Sequence, residues 1–287
     1  MCGLGMFGLS RLDVGRECAR GPVMTLLIRS EVFKLRTVWS TWVLLGTTAV
    51  LCAGLMALVG LVPHHRHVVN SFPARGTSGW FDGLFSIMTL SVDLALILGA
   101  VMITTEHRFK TITPTLLVQP RRWRVVAAKL IVALGGGLGM AVVAGAIGLV
   151  YGFVSVGVGL APLGRMLTEY RHVWPGVAVA AALYGAYGVG LGALLKNQMV
   201  TMVVGFVALA VIDPIVGAAI PSVGRWLPGY AADALESVTT TPSAHAAFTG
   251  AGSVHLLVWW AGALVLICYG VTLAAFGSAT SLRADVI

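Results

Sequence analysis

Few side chains in this 287-residue sequence are placed to do chemistry, and the first two to consider are aspartates inside long apolar runs, Asp93 and Asp213. An ionised carboxylate near the centre of a bilayer costs at least about 2.5 kcal/mol, so each must face protein, water or a partner. Asp93 sits in mid-run with no helix-breaking neighbour, which leaves two readings open: a structural hydrogen bond, or a residue lining a polar pathway. Asp213 precedes Pro214, and a proline withholds an N–H from the helix ladder, so this pair reads as a structural helix break.

Other reactive residue types form no constellation. His64, His65 and His67 adjoin one another, but neighbouring imidazoles with no carboxylate or cysteine close in sequence read as solvated, and no metal site is expected. Cys2, Cys18, Cys52 and Cys268 lie too far apart for a Cys-x-x-Cys pair, so neither a disulfide framework nor a zinc site follows. Neither Lys129 nor Lys196 follows a glycine, and without Gly-x-x-x-x-Gly-Lys-Ser/Thr nothing here cradles nucleotide phosphates. A membrane-embedded enzyme would need a nucleophile and base, or metal ligands, on facing helices. The apolar runs hold no histidine except His255 at the edge of the last, and no catalytic residue is expected.

The segment with the clearest pattern is Thr104 to Lys129. Phe109, Ile112, Leu116 and Leu117 fall at i, i+3, i+7 and i+8, one apolar stripe on a short helix, with Arg108, Lys110, Thr111 and Thr115 off it. Pro114 should bend or restart that helix, and Pro120 can open the next at its first turn. A basic amphipathic hairpin is therefore predicted, either resting on lipid as an anchor or docking a partner.

The elements that must position these residues follow from composition. The chain is 57% hydrophobic and 10% charged, with mean hydropathy +0.90, against about 25% charged for a soluble domain. Apolar runs long enough to cross a bilayer occur at about Trp39 to Leu61, Leu84 to Ile103, Leu130 to Val154, Val177 to Leu195, Met199 to Ala219 and Val254 to Phe276. Their continuous apolarity selects helices over a barrel, so the fold class is an all-α polytopic membrane protein with six transmembrane helices. Residues 24–287 read as one six-span domain; residues 1–23 read as a disordered tail or a start-site extension ahead of Met24. Gly148/Gly152 and Gly188/Gly192 have the spacing of close helix packing. Trp39, Trp42, Trp80, Trp123, Trp174, Trp226, Trp259 and Trp260 fall near span ends, as interfacial belt residues do. Short helices at or dipping into the outer interface are expected in the long loop from Pro221 to Ser253.

Of the 19 Lys and Arg residues, 14 fall on the side holding both termini and the Thr104 to Lys129 segment, and 5 on the other. The positive-inside rule makes the first side cytoplasmic, giving an N-in/C-in chain. The same placement turns the net charge of +8 toward membrane lipids rather than nucleic acid.

Three segments together resemble ABC type-2 exporter permeases, especially actinobacterial drug-exporter members. Glu106-x-Arg108-x-x-Thr111, Leu116-Leu117-x-x-Pro120-Arg121-Arg122 and Ala128-Lys129-Leu130 are similar to the loop that carries the family's cytoplasmic coupling helix. Ser30-Glu31-x-x-Lys34-Leu35-Arg36-Thr37, followed by Ser40-Thr41-Trp42, resembles its N-terminal amphipathic elbow helix. Gly188-x-Gly190-Leu191-Gly192, running to Lys196-Asn197, resembles its connection between the fourth and fifth spans. The resemblance implies a plasma-membrane, multi-pass permease forming half of a substrate pathway. A second permease subunit, identical or not, and a separate ABC ATPase that binds ATP and Mg would complete it, with no cofactor in this chain. It further implies that Glu106, Arg108, Phe109, Thr111, Ile112, Leu116 and Leu117 dock the ATPase, assisted by Glu31, Lys34 and Arg36. A non-transporting membrane scaffold or regulatory subunit is the alternative, and a membrane-embedded enzyme a more distant one.

Overall fold

The computed structural model describes residues 23–61, 76–109, 122–159, 162–236 and 255–281. Six of its helices are long and apolar enough to cross a membrane, making this a multi-pass membrane protein, and no strand occurs among the described residues. Helix α1 (Val23–Thr37) precedes the first span α2 (Trp39–Leu61). The second span is α3 (Ser78–Ser86), one 3-10 turn and α4 (Leu90–Arg108); the third is α5 (Arg122–Gly157) and the fourth α6 (Leu163–Leu195). The fifth runs through α7 (Gln198–Val207), a π-turn at Ala208–Ile212 and α8 (Asp213–Ala219). Short α9 (Pro221–Gly224) and α10 (Pro228–Glu236) lead to the sixth, α11 (Trp259–Ser281).

The first span matches its sequence expectation residue for residue, while the second, third and fourth extend past their apolar windows. Helical hydrogen bonding continues where hydropathy falls: α4 runs on to Arg108 and α5 begins at Arg122. Much of the expected hairpin is thus the ends of two spans, and its apex, including Thr111, Ile112, Pro114, Leu116, Leu117 and Pro120, lies outside the described residues, as do residues 1–22 and His64, His65 and His67.

Helix α6 is the hub. Of its apolar window 78% is buried, against 17% for α2. Glycine makes this possible: a Cβ on Gly188 would overlap the Leu96 carbonyl, and one on Gly99 the Gly185 carbonyl, so α4 and α6 pack backbone against backbone. Gly148 and Gly152 instead receive thioether side chains, from Met88 and Met166 respectively.

The fifth helix departs from regular α geometry just ahead of Asp213 and Pro214, within the expected Met199 to Ala219 span. It widens to a π-turn over Ala208–Ile212 and continues to Ala219, an arrangement that seats a proline's missing donor without stopping the helix. One expectation changes: helix α10 does not lie on the outer surface, since all nine of its residues are buried. It inserts beside α6, with Tyr184 Oη donating to the Pro228 carbonyl at 2.9 Å and Gly176 receiving the Leu235 carbonyl.

Six of the eight tryptophans are exposed, five on span ends and Trp226 in the link between α9 and α10, but Trp80 is only 2% exposed. It packs edge-on to Phe81 in an aromatic row that continues through Phe85, Tyr170 and Trp174.

Candidate functional site

One end of the bundle gathers the basic residues Lys34, Arg36, Arg108, Arg124, Lys129 and Lys196; Arg165, Arg171 and Arg225 lie at the other. At the basic end α1 crosses the ends of α4 and α5. Its corner with α2 is tied by Trp42 Nε1, which donates to the Arg36 carbonyl at 2.8 Å. Glu31 and Lys34, three residues apart on α1, share one face, and that face meets Glu106 in the last turns of α4 and Lys129 two turns into α5.

The four charges interlock. Lys129 Nζ donates to Glu31 Oε2 at 2.8 Å and reaches Glu106 Oε1 at 2.7 Å. Lys34 Nζ donates to Glu31 Oε1 at 2.7 Å and to Glu106 Oε1 at 2.8 Å. Glu31, Glu106 and Lys129 are buried, while the Lys34 side chain is 46% exposed. Two carboxylates against two ammonium groups make the cluster neutral, the condition under which burying charge is tolerable. Burial by itself would lower the pKa of Lys34, but hydrogen bonds and charge from Glu106 and Glu31 outweigh it and hold the pKa above the ordinary 10.5. One acceptor remains: Glu106 Oε2 is buried with no hydrogen-bond partner among the described residues.

Of the residues expected to dock a partner, Glu31, Lys34 and Glu106 come together here. Arg108 and Phe109 are exposed just beyond, the guanidinium 5.7 Å from the ring centre. Arg36 is exposed and acts through its carbonyl. Glu106 departs from a polar rim, because its carboxylate turns inward onto two lysines. Lys129 is the member that pattern reasoning did not single out. A lysine followed directly by an apolar run must find an anion, and the nearest in the fold come from 23 residues before it and from α1. Beside the cluster, between α1, α2 and α4, opens a cavity of about 510 Å³ whose apolar wall includes Leu35, Val38, Leu98, Val101, Met102 and Phe109.

At the opposite end Asp93 lines a cavity of about 210 Å³ together with Tyr184, Asp233 and Glu236. Insertion of α10 brings the last two there, which no local pattern indicates. Asp213 does not line it; its Oδ2 accepts from the Gly229 N–H at 2.6 Å, in the first turn of α10. Among the described residues no three His, Cys, Asp or Glu side chains are grouped to hold a metal ion.

The connector to the fifth span is tightly made. Lys196 takes a left-handed conformation (φ 55°) to end α6, and Asn197 Oδ1 caps α7 by accepting from Met199 and Val200. No protein-family model matches the chain, and no curated protein is similar enough to match it.

Proposed function

We propose that this chain is the transmembrane permease subunit of an ATP-driven exporter, forming half of the pathway and taking its power stroke from a separate ATPase at the basic, cytoplasmic end. The observation that carries the reading is the four-charge cluster, which ties α1, α4 and α5 together at both feet of the segment between Phe109 and Arg122. A push on that segment would reach two spans and the elbow as one body rather than bending a single helix. Coupling of this kind needs a stiff connection between the place of docking and the spans, and interlocked buried ion pairs supply it. Asp93, at the far cavity, is the pathway residue in this reading, and α6, against which both α4 and α10 pack, is the element about which the two ends rearrange. The exposed Phe109, with Ile112, Leu116 and Leu117 of the same stripe, would fill an apolar groove on the ATPase, and Arg108 would set its register.

The test is purification of the tagged chain from its own membrane with identification of a co-purifying ATP-binding cassette subunit, followed by ATP hydrolysis in nanodiscs. Leu116→Asp and Phe109→Asp should each reduce recovery of that subunit by at least about tenfold, one desolvated anchor contributing at least about 1.4 kcal/mol, while the permease still inserts. Glu106→Arg is a poor probe of docking, because it would break the buried cluster first. Recovery of an ATPase with neither cargo-stimulated hydrolysis nor efflux would favour the scaffold reading, and recovery of none from intact membranes would refute the exporter.

A further inference from the structure

The groove beside the charge cluster has two unfilled polar positions at one end and an apolar wall along its length. Glu106 Oε2 is a buried acceptor with no partner among the described residues, on a side chain 9% exposed that lines the groove. Lys34 Nζ makes two hydrogen bonds, and an ammonium has three N–H groups, so one donor remains on a side chain about half open to the outside. Leu98, Val101 and Met102 stand on the same face of α4 as Glu106. From Leu98 to Glu106 the helix rises about 12 Å, so this wall runs from the headgroup level toward the bilayer interior.

We propose that this groove binds one zwitterionic aminophospholipid from the basic-side leaflet, its primary ammonium on Glu106 Oε2, its phosphate on Lys34 Nζ and one acyl chain along Leu98, Val101 and Met102. Charge complementarity selects this occupant. The cluster is already neutral, so a net cation or a net anion would unbalance it, whereas a zwitterion adds one charge of each sign at matching places. A choline headgroup has no N–H to give Glu106, and a glycerol headgroup brings only neutral hydroxyls, so its phosphate would add a net negative charge to the site with no ammonium to balance it. A volume of about 510 Å³ falls within the usual range for a site that holds part of a small amphiphile.

The experiment uses the full chain in nanodiscs made from equal parts of phosphatidylethanolamine, phosphatidylcholine and phosphatidylglycerol, with the lipid retained through detergent exchange identified by native mass spectrometry. No ATPase or cargo is needed, so the result is independent of the exporter reading. Phosphatidylethanolamine should be retained about tenfold over phosphatidylcholine, as a charge-assisted hydrogen bond to a buried carboxylate warrants. Met102→Trp fills the groove without touching the four charges and should return retention to the bulk ratio. Val38→Trp, at a half-exposed position at the mouth, is the second block should the first variant fold poorly, and should do the same. Equal retention of the three lipids by the unaltered chain would overturn the proposal, as would undiminished ethanolamine enrichment in a folded groove-filling variant. If Val38→Trp separates a dimer and leaves the lipid ratio unchanged, the occupant is a second copy of the chain and the proposal fails.

Discussion

At the basic end two carboxylates and two ammonium groups are joined by four N–O contacts of 2.7 to 2.8 Å, whereas at the far end Asp93, Asp233 and Glu236 gather around a cavity whose described lining holds no lysine or arginine. The first arrangement is closed: each charge neutralises another, and movement of one helix drags the others. The second surrounds a space, with three carboxyl side chains brought to a cavity that α10 walls on one side. Ionisable side chains thus serve as a rivet in one place and as part of a cavity wall in the other.

The sharpest way to break the comparison is at Lys129. Its replacement by Met leaves Glu31 and Glu106 sharing one half-exposed lysine, and loss of one partner from a buried ion cluster costs about 3–5 kcal/mol. Thermal unfolding in detergent should show that loss, and adding Glu31→Gln should recover most of it by restoring neutrality. If Lys129→Met alone leaves the midpoint unmoved, the cluster is not a rivet.

A smaller effect should separate the two aspartates. Asp213→Ala removes the acceptor for the Gly229 N–H at the start of α10 and should destabilise by about 1–2 kcal/mol, the range for a lost helix cap. Asp93→Asn keeps a polar side chain at the cavity and should change stability by less than about 1 kcal/mol, with efflux falling nonetheless. Efflux at the unaltered level, with normal expression, would remove Asp93 from the pathway.

The smallest effect concerns pH. The pKa of Lys34 is raised above 10.5, so its stabilising contribution is complete below that value and is lost only as pH rises through the raised pKa. The stability difference between the unaltered chain and Lys34→Met should therefore stay level from about pH 7 to about pH 10 and shrink beyond it. A difference that declines already near neutrality would mean that Lys34 is not held by Glu31 and Glu106.

Legibility from sequence differed from element to element. The first span was readable to the residue, because Trp39 to Leu61 is apolar throughout with helix-breaking or charged residues near both ends. Hydropathy starts the third span at Leu130 although its helix begins at Arg122, because it marks where lipid contact starts and says nothing about the turns before it. Gly188 and Gly192 were legible as a packing face; Gly148 and Gly152 share the spacing, yet thioethers rather than a helix backbone fill the space above them. Trp80 fitted a belt by position and is nonetheless buried, since its neighbours Phe81 and Phe85 carry it into the aromatic row. The sequence pattern of Glu31, Lys34 and Glu106 points to an elbow and a docking rim, whereas the fold joins them in one buried cluster.

By itself the sequence determined the solvent of this protein, its six helical spans and the uneven distribution of its basic residues. Each of these is a property of some 20 consecutive residues and needs no knowledge of what packs against them. Only the tertiary structure decided that Lys129 meets Glu31 from 98 positions away, that α10 turns back into the bundle, and that Asp93 faces a cavity while Asp213 holds a helix start. Those outcomes depend on which face of each helix is turned inward, and that is settled by contacts between distant segments, above all the glycine faces that let α4 and α6 close together.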